Sequence, residues 1–184
     1  MGWDNRSAYI LVRSRKGKST DVFNEFKDKN YAVGVFQIAG KYDVLIWATT
    51  KTVEDMSWIV SEVRFYSEVE EVNVQLACYC TSNERVALLK PGYMWLAIRK
   101  EEYYVVCSIL NRFRNLAMAV STSGGYNCIA MLHGDQQDQI HNLVCALEEE
   151  ACEVECFPAL SYYWNRVPAR RRIERTEERE QAQY

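Results

Sequence analysis

Two short segments of the chain carry the residues best suited to bind a small molecule. They read Gly40-Lys41-Tyr42-Asp43 and Gly124-Gly125-Tyr126-Asn127, and each lies between two apolar runs. A glycine lets the backbone approach a ligand closely, a carboxylate pairs with an ammonium group, and a tyrosine offers an apolar wall with a polar tip. The residues of these types in the two segments are Gly40, Tyr42, Asp43, Gly124, Tyr126 and Asn127. Glycine and aspartate are also what a tight hairpin turn requires, so the residue types alone favour a structural turn over a ligand site.

The two segments also mark an internal repeat. Gly40 and Gly124 are 84 residues apart (124 − 40). Further pairs keep this spacing: Tyr9 and Tyr93, Arg15-Lys16 and Arg99-Lys100, Val60 and Val144, and Glu71 and Glu155. A chain that repeats itself in one register, without a gap, predicts two copies of one domain. Since Asn127 stands where the first copy has Asp43, two ligand sites at the turns would not be equivalent.

Hydrophobic patterning predicts the order β-α-β-β-α-β in each copy. The first copy has predicted strands at 8–14, 33–39, 44–49 and 69–78, a helix from Ser19 or Thr20 to Asn30, and a second helix that begins after a capping box at Thr52 and Asp55. The second copy has predicted strands at 93–98, 116–121, 128–133 and 153–164, and helices at 101–114 and 135–150.

Two helices on one face of a four-stranded antiparallel sheet form the ferredoxin-like arrangement. The predicted fold class is therefore α+β, with two tandem ferredoxin-like βαββαβ repeats. The second face of each sheet is bare, so we expect these faces to pack together and make an intramolecular pseudo-dimer. The predicted boundaries are a first domain at 1–78, a linker at 79–92, a second domain at 93–164 and a charged tail at 165–184.

Composition narrows the partners and the location. The chain has 184 residues, 48% hydrophobic and 26% charged, which are ordinary values for a globular protein. A net charge of −3 argues against nucleic acid or an anionic membrane as the partner of the whole body. No apolar stretch approaches the roughly 18 residues that a membrane span needs, and the first residues lack a signal-peptide pattern. We expect a cytoplasmic protein without a membrane partner.

Metal and catalytic chemistry have little support in the sequence. Among the seven cysteines, Cys78 and Cys80 form one close pair and Cys152 and Cys156 another, but neither has a partner pair at zinc-site spacing. His133 precedes Asp135 and could act as an acid or base, yet it has no evident nucleophile partner. We therefore predict no metal site, no cofactor and no catalytic residue. Enzyme activity stays open, and these residues favour a protein that is not an enzyme.

The first copy resembles the effector-binding domain of the Lrp/AsnC transcription regulators. The matching residues are the strand Tyr9-Ile10-Leu11-Val12, the break at Gly17-Lys18, and the run from Ile38 to Ile46 that contains the Gly-x-Tyr-Asp turn, a hallmark of that family. The match covers residues 8 to about 78. The second copy, at 93–160, is a looser match because Asn127 replaces the family's aspartate.

This resemblance implies a function. The family places small effectors, often amino acids, between paired domains near this turn, which implies that the six candidate residues above bind such an effector. The family's domains associate, which implies a homo-oligomer. Only seven residues precede the first strand, too few for the family's helix-turn-helix, so direct DNA binding is not expected.

The sequence thus favours an effector-binding regulatory module for an amino-acid-like small molecule, related to Lrp/AsnC regulators but without a DNA-binding domain. One alternative is an enzyme of the dimeric α+β barrel type that acts on a haem, another tetrapyrrole or a small organic substrate. A second alternative is a structural partner in a regulator complex, joined through the charged tail.

Overall fold

Each half of the chain folds in the predicted β-α-β-β-α-β order. The computed structural model describes residues 6–82, 93–133 and 137–165. The first half contains β1 (Arg6–Ser14), α1 (Ser19–Lys27), β2 (Ala32–Ile38), β3 (Val44–Thr50), α2 (Val53–Phe65) and β4 (Val69–Ser82). The second half contains β5 (Tyr93–Arg99), α3 (Tyr103–Leu110), β6 (Leu116–Ser123), β7 (Cys128–His133), α4 (Gln137–Glu149) and β8 (Glu153–Trp164).

The eight strands close into one antiparallel barrel in the order β1-β3-β2-β8-β5-β7-β6-β4. Strand β2 pairs with β8, and β4 pairs with β6, so the two four-stranded sheets are hydrogen-bonded to each other at both edges. The pseudo-dimer prediction is confirmed, but the bare faces do more than pack together. They become the inner wall of a barrel that has no free sheet edge.

Alternation along each strand divides the apolar residues between the barrel interior and the outer layer. The interior is filled with large side chains that include Tyr9, Phe36, Trp95 and Phe157. The outer faces of the first half are covered by α1 and α2, and those of the second half by α3 and α4. None of these four helices combines the length and apolar composition that a membrane crossing requires.

Some predicted boundaries differ from the structure. Helix α3 ends at Leu110 because Arg112 and Phe113 donate to carbonyls only three residues back, at Ile109 and Leu110, which tightens the last turn. Strand β4 continues through residues 79–82, which were predicted as linker, since they pair with β6. The rest of the predicted linker and the tail after Asn165 lie outside the described residues.

The capping box of α2 is half formed. The Thr52 hydroxyl accepts a hydrogen bond from the Asp55 N–H at 3.0 Å, as predicted. The Asp55 carboxylate instead accepts from the Thr50 hydroxyl at 3.2 Å. The threonine alone therefore provides the N-cap.

The predicted spacing of 84 residues between the two copies does not hold throughout the chain. It holds in the hairpins and between α2 and α4, and it is wrong elsewhere. At the turns the spacing holds, because Ile38 donates to the Asp43 carbonyl as Thr122 donates to that of Asn127. In the first strands it does not hold: Tyr9 pairs with Trp47, and Trp95 pairs with Met131, the residue that corresponds to Trp47.

Tyr9 therefore corresponds to Trp95, two residues further along than Tyr93. In the last strands the shift has the opposite sign. Arg13 pairs with Glu71 and Arg99 with Glu153, so Glu71 corresponds to Glu153 rather than Glu155. The second copy is two residues shorter before its hairpin and two residues shorter after it.

Both Gly-x-Tyr turns lie at one end of the barrel. Neighbouring strands are all antiparallel, and β1 and β5 stand four steps apart in the strand order, so they run in the same direction. Each turn lies beside the last residues of β1 or β5, since Asp43 donates to the Val12 carbonyl and Asn127 to that of Ile98. We call this the turn end of the barrel.

Candidate functional site

The two turn glycines pack against the barrel wall rather than an open space. Gly40 has φ of +129° and Gly124 has φ of +151°, a region that favours glycine. A Cβ on Gly40 would lie 3.0 Å from the Phe157 ring in β8. A Cβ on Gly124 would lie 2.7 Å from the Val74 carbonyl oxygen in β4. Each turn therefore reaches the last strand of the other half and helps close the barrel.

Asp43 and Asn127 hold the ends of the first strands. One carboxylate oxygen of Asp43 accepts from the Ser14 N–H at 2.8 Å and from the Ser14 hydroxyl at 3.0 Å. The side-chain oxygen of Asn127 accepts from the Lys100 N–H at 3.0 Å. The change from aspartate to asparagine preserves this acceptor, so both residues have a structural role. Ligand binding by either residue stays a prediction.

Tyr42 and Tyr126 point into the barrel from opposite halves. They are 1% and 2% exposed, and Tyr42 packs against Phe157 with ring centroids 6.0 Å apart. Tyr42 is also close enough to Tyr126 to affect its ionisation. The structure therefore brings these two predicted residues together inside the turn end.

A polar network joins the two tyrosines. The Asn73 amide donates to the Tyr42 hydroxyl at 2.9 Å, and the Gln75 amide donates to the Asn73 side-chain oxygen. The Gln75 oxygen accepts from the Tyr126 N–H at 3.1 Å and from the Thr122 hydroxyl at 3.4 Å. Because Asn73 and Gln75 belong to β4, while Thr122 and Tyr126 belong to the second half, the network crosses the seam between the halves.

Glu155 is the counterpart of Asn73 in the second half. Leu11 pairs with Asn73, and Ala97, which corresponds to Leu11, pairs with Glu155. Asn73 therefore meets Tyr42, while a carboxylate meets Tyr126. We call Tyr42, Asn73, Gln75, Thr122, Tyr126 and Glu155 the polar cluster.

The Tyr126 hydroxyl is the unusual group of the polar cluster. It is buried, and the Glu155 carboxylate is close enough to accept from it but not at the distance and angle of a normal hydrogen bond. Burial raises the pKa of Tyr126 well above its ordinary value, and the Glu155 carboxylate raises it further. The Arg99 guanidinium lies 5.4 Å from the ring centroid and lowers this pKa slightly.

This arrangement suits a hydrogen-bond donor that carries positive charge. The neutral Tyr126 hydroxyl and the Glu155 carboxylate are both acceptors for an ammonium group. Among the described residues, no three His, Cys, Asp or Glu side chains come together to hold a metal ion.

Asn73, Gln75 and Glu155 were not predicted from the sequence. The alternation of Val72, Val74 and Leu76 along β4 is typical of a core-facing row, which makes Asn73 and Gln75 look like solvent-facing residues. Val72 and Val74 do pack beneath the helices of the first half, although Leu76 is 44% exposed. The available signal was the pseudo-dimer itself, because polar residues on its covered face need partners.

Aromatic rings fill the barrel further from the turns. Phe36 lies 5.0 Å from Trp95 and 5.1 Å from Trp164, measured between ring centroids. His133 is 2% exposed, and its ring lies 4.9 Å from Tyr93, remote in the fold from the turns. Asp135, considered above as its partner, lies outside the described residues.

No protein-family model matches the chain, and no characterised protein sequence matches it significantly. Solved structures do match. The siroheme decarboxylase NirDL matches with a TM-score of 0.65 and 11% identity, over 88% of this chain and 73% of that chain. Its complex with an iron-uroporphyrin III analogue gives a TM-score of 0.63 and 13% identity over the same shares. A mutant chlorite dismutase of Candidatus Nitrospira defluvii gives a TM-score of 0.52 and 8% identity, over 88% and 93%.

The chain has the dimeric α+β barrel fold. At such low identity the likeness concerns the fold alone, an Lrp/AsnC-like α+β architecture with tandem halves. Both matched proteins are named for enzymes, so the comparisons lie closer to the enzyme alternative than to the regulatory module. Membership of the Lrp/AsnC family stays a prediction.

Proposed function

We propose that the chain is a binding module for a small amine, with an amino acid as the model ligand and the polar cluster as its site. The observation that supports this proposal is the buried Tyr126 hydroxyl, which lies beside Glu155 without a normal hydrogen bond. A buried polar group in this state costs about 1–3 kcal/mol. An ammonium group placed between the hydroxyl and the carboxylate would satisfy both.

The rim of the turn end offers a partner for a ligand carboxylate. The Lys41 ammonium lies 5.5 Å from the centroid of the Tyr42 ring and forms no ion pair with another described residue. Lys41 is exposed, so its side chain can move aside and then pair with the ligand. Arg99 is already committed, since it bonds to Glu153 and to the Gly125 carbonyl.

The two halves contribute unequally to this site. Only the second half supplies a carboxylate, because the equivalent position in the first half is the neutral Asn73. The proposal therefore specifies one ligand at the polar cluster rather than one at each turn. The two halves are therefore non-equivalent, as expected from the sequence. The residues that distinguish them are Asn73 and Glu155 rather than Asp43 and Asn127.

Replacing Glu155 by glutamine tests the proposal. We expect the twenty amino acids, screened by thermal shift at millimolar concentration, to include at least one that stabilises the protein. Glu155→Gln should weaken that ligand about tenfold or more, because a hydrogen bond to a charged group contributes about 1.5–3 kcal/mol. Calorimetric titration would give the dissociation constant and the stoichiometry.

Glu149→Gln is the matched control, because Glu149 is an exposed carboxylate on α4 that forms no ion pair with a described residue. It should bind like the unmodified protein. The proposal fails if no amino acid stabilises the protein, or if Glu155→Gln binds as tightly as the control.

The second candidate function is an enzyme of tetrapyrrole chemistry, which the fold comparisons favour. A macrocycle inside the barrel would have to displace aromatic side chains that contact one another, for example Phe36 and Trp95, with centroids 5.0 Å apart. His133 is buried against Tyr93.

A haem titration separates the two candidates. We expect no saturable shift of the Soret band at a one-to-one ratio, and the same result for His133→Ala. A stoichiometric Soret shift that His133→Ala abolishes would favour the enzyme instead.

A further inference from the structure

A cleft of about 340 Å³ lies on the outside of the first half. It is bounded by the segment between α1 and β2, by the end of β3 and by the start of α2. Its lining includes Tyr31, Thr50, Lys51, Asp55 and Trp58. None of these residues belongs to the polar cluster, so the cleft is independent of the proposed function.

The wall of the cleft contains an aromatic side chain that the core does not use. Trp58 is 62% exposed, and its only aromatic contact among the described residues is an edge-on one with Tyr31, at 6.4 Å between centroids. Tyr31 is itself fixed, because its hydroxyl donates to Glu62 at 2.9 Å. An indole held against a rigid neighbour with most of its surface uncovered is a preformed apolar wall.

Opposite charges that are not paired share this cleft. Lys51 and Asp55 both line it, and neither forms an ion pair with another described residue. The Asp55 carboxylate is oriented by the Thr50 hydroxyl, which donates to it at 3.2 Å. A cation and an oriented anion beside an exposed indole match a small zwitterion with an aromatic group.

We propose that this cleft binds a small aromatic zwitterion. Lys51 takes the carboxylate, Asp55 takes the ammonium group, and the aromatic side chain packs on Trp58. Three groups that each bind weakly at an exposed site then act together on one ligand.

The second half shows that the fold alone does not require these residues. Thr49 donates to the Tyr31 carbonyl as His133 donates to that of Asn115, so the repeat spacing holds here. At that spacing Asn142 stands for Trp58, and Gln139 stands for Asp55. The counterpart site lacks both the indole and the carboxylate.

The test uses three probes: L-phenylalanine, phenethylamine, which lacks the carboxylate, and 3-phenylpropionate, which lacks the ammonium group. The indole N–H signals of the five tryptophans are followed by NMR, and the Trp58 signal is the one lost in Trp58→Phe. L-Phenylalanine should shift the Trp58 signal saturably and bind more tightly than either other probe.

Charge removal should act selectively on the probes. Lys51→Met should weaken L-phenylalanine about fivefold and leave phenethylamine unchanged, while Asp55→Asn should weaken L-phenylalanine similarly and leave 3-phenylpropionate unchanged. Lys16→Met, which removes an exposed lysine in the loop after β1, is the matched control and should have no effect.

Glu155→Gln should also leave this binding intact, whatever happens at the polar cluster, so the two proposals succeed or fail separately. The inference is overturned if the three probes bind equally, if Lys51→Met behaves like Lys16→Met, or if the Trp58 signal moves only with protein concentration. The last result would indicate contact between protein molecules instead.

Discussion

Gly124→Ala should lower the free energy of unfolding by about 3 kcal/mol or more, the sum of backbone strain and overpacking. Gly124 has φ of +151°, which an alanine adopts only with strain. The new Cβ would also lie 2.7 Å from the Val74 carbonyl oxygen and 2.7 Å from the Gln75 side-chain oxygen. The Val74 oxygen belongs to the backbone in the middle of a strand, so it cannot move away without distorting that strand.

The neighbouring glycines provide a graded series. Gly40→Ala meets a similar strain, at φ of +129°, but its closest contact is the Phe157 ring at 3.0 Å, and a side chain can shift. We expect a smaller loss of about 1–2 kcal/mol there. Gly125→Ala is the control, because its Cβ would come no closer than 3.4 Å to Asn73.

Urea unfolding followed by circular dichroism would measure this order. The largest loss should occur for Gly124→Ala, an intermediate loss for Gly40→Ala, and a loss of less than about 1 kcal/mol for Gly125→Ala. Equal losses at Gly124 and Gly125 would show that the turn tolerates a Cβ at Gly124 and is not closely packed against β4. The comparison therefore tests the closure of the barrel through the turns, not merely a general preference for glycine.

The order of the elements could be predicted because it depends on local patterns. Apolar alternation and turn glycines report strands and hairpins directly. Closure of the barrel could not be predicted in the same way, because the residues of a strand do not specify which strand lies beyond the edge of its own sheet. The pairing of Gln37 in β2 with Ser161 in β8 joins residues that are far apart in the sequence.

The register error has a specific physical cause. A shift of two residues along a strand leaves every side chain on the same face. Tyr9 and Tyr93 both point into the barrel, and so does Trp95, the true counterpart of Tyr9. The alternation of inward-facing and outward-facing residues therefore cannot reveal the shift. The alignment of Tyr9 with Tyr93 was misleading.

Only the residues of the candidate site that belong to a local sequence motif could be predicted. Tyr42 and Tyr126 belong to the turns and were identified with them. Their partners are distant in sequence: Asn73 is 31 residues from Tyr42, and Gln75 is 51 residues from Tyr126. Only the closed barrel brings these residues together, so the polar cluster is a property of the tertiary fold.

Gln75→Leu is the second change expected to have a large effect, with a loss of about 3 kcal/mol in the free energy of unfolding. Gln75 is fully buried, and its oxygen accepts from the Tyr126 N–H and the Thr122 hydroxyl. Leucine occupies a similar volume but accepts nothing, so the buried Tyr126 N–H loses its partner. Each buried group left unsatisfied costs about 1–3 kcal/mol.

Gln37→Leu is the matched control at the other seam of the barrel. Gln37 also bonds through both ends of its amide, to Thr20 and to Ser161, but it is only partly buried. Water can replace the lost partners there, so the loss should stay below about 1 kcal/mol. A similar loss for both variants would mean that the burial of the Gln75 network adds no stability beyond that of the partly buried Gln37 hydrogen bonds.

A double-mutant cycle decides whether the network couples the two halves of the chain. Thr122 belongs to the second half and Gln75 to the first, and the two side chains share one hydrogen bond. After Gln75→Leu the Thr122 hydroxyl keeps only the Tyr126 carbonyl, at 3.0 Å, as an acceptor, so Thr122→Val should then cost less than it does alone. Contacting residues of one network typically show an interaction free energy of about 0.5–3 kcal/mol. Strict additivity would mean that the Thr122–Gln75 contact does not couple the halves, which would leave the bond from the Tyr126 N–H to Gln75 as the link of this network across the seam.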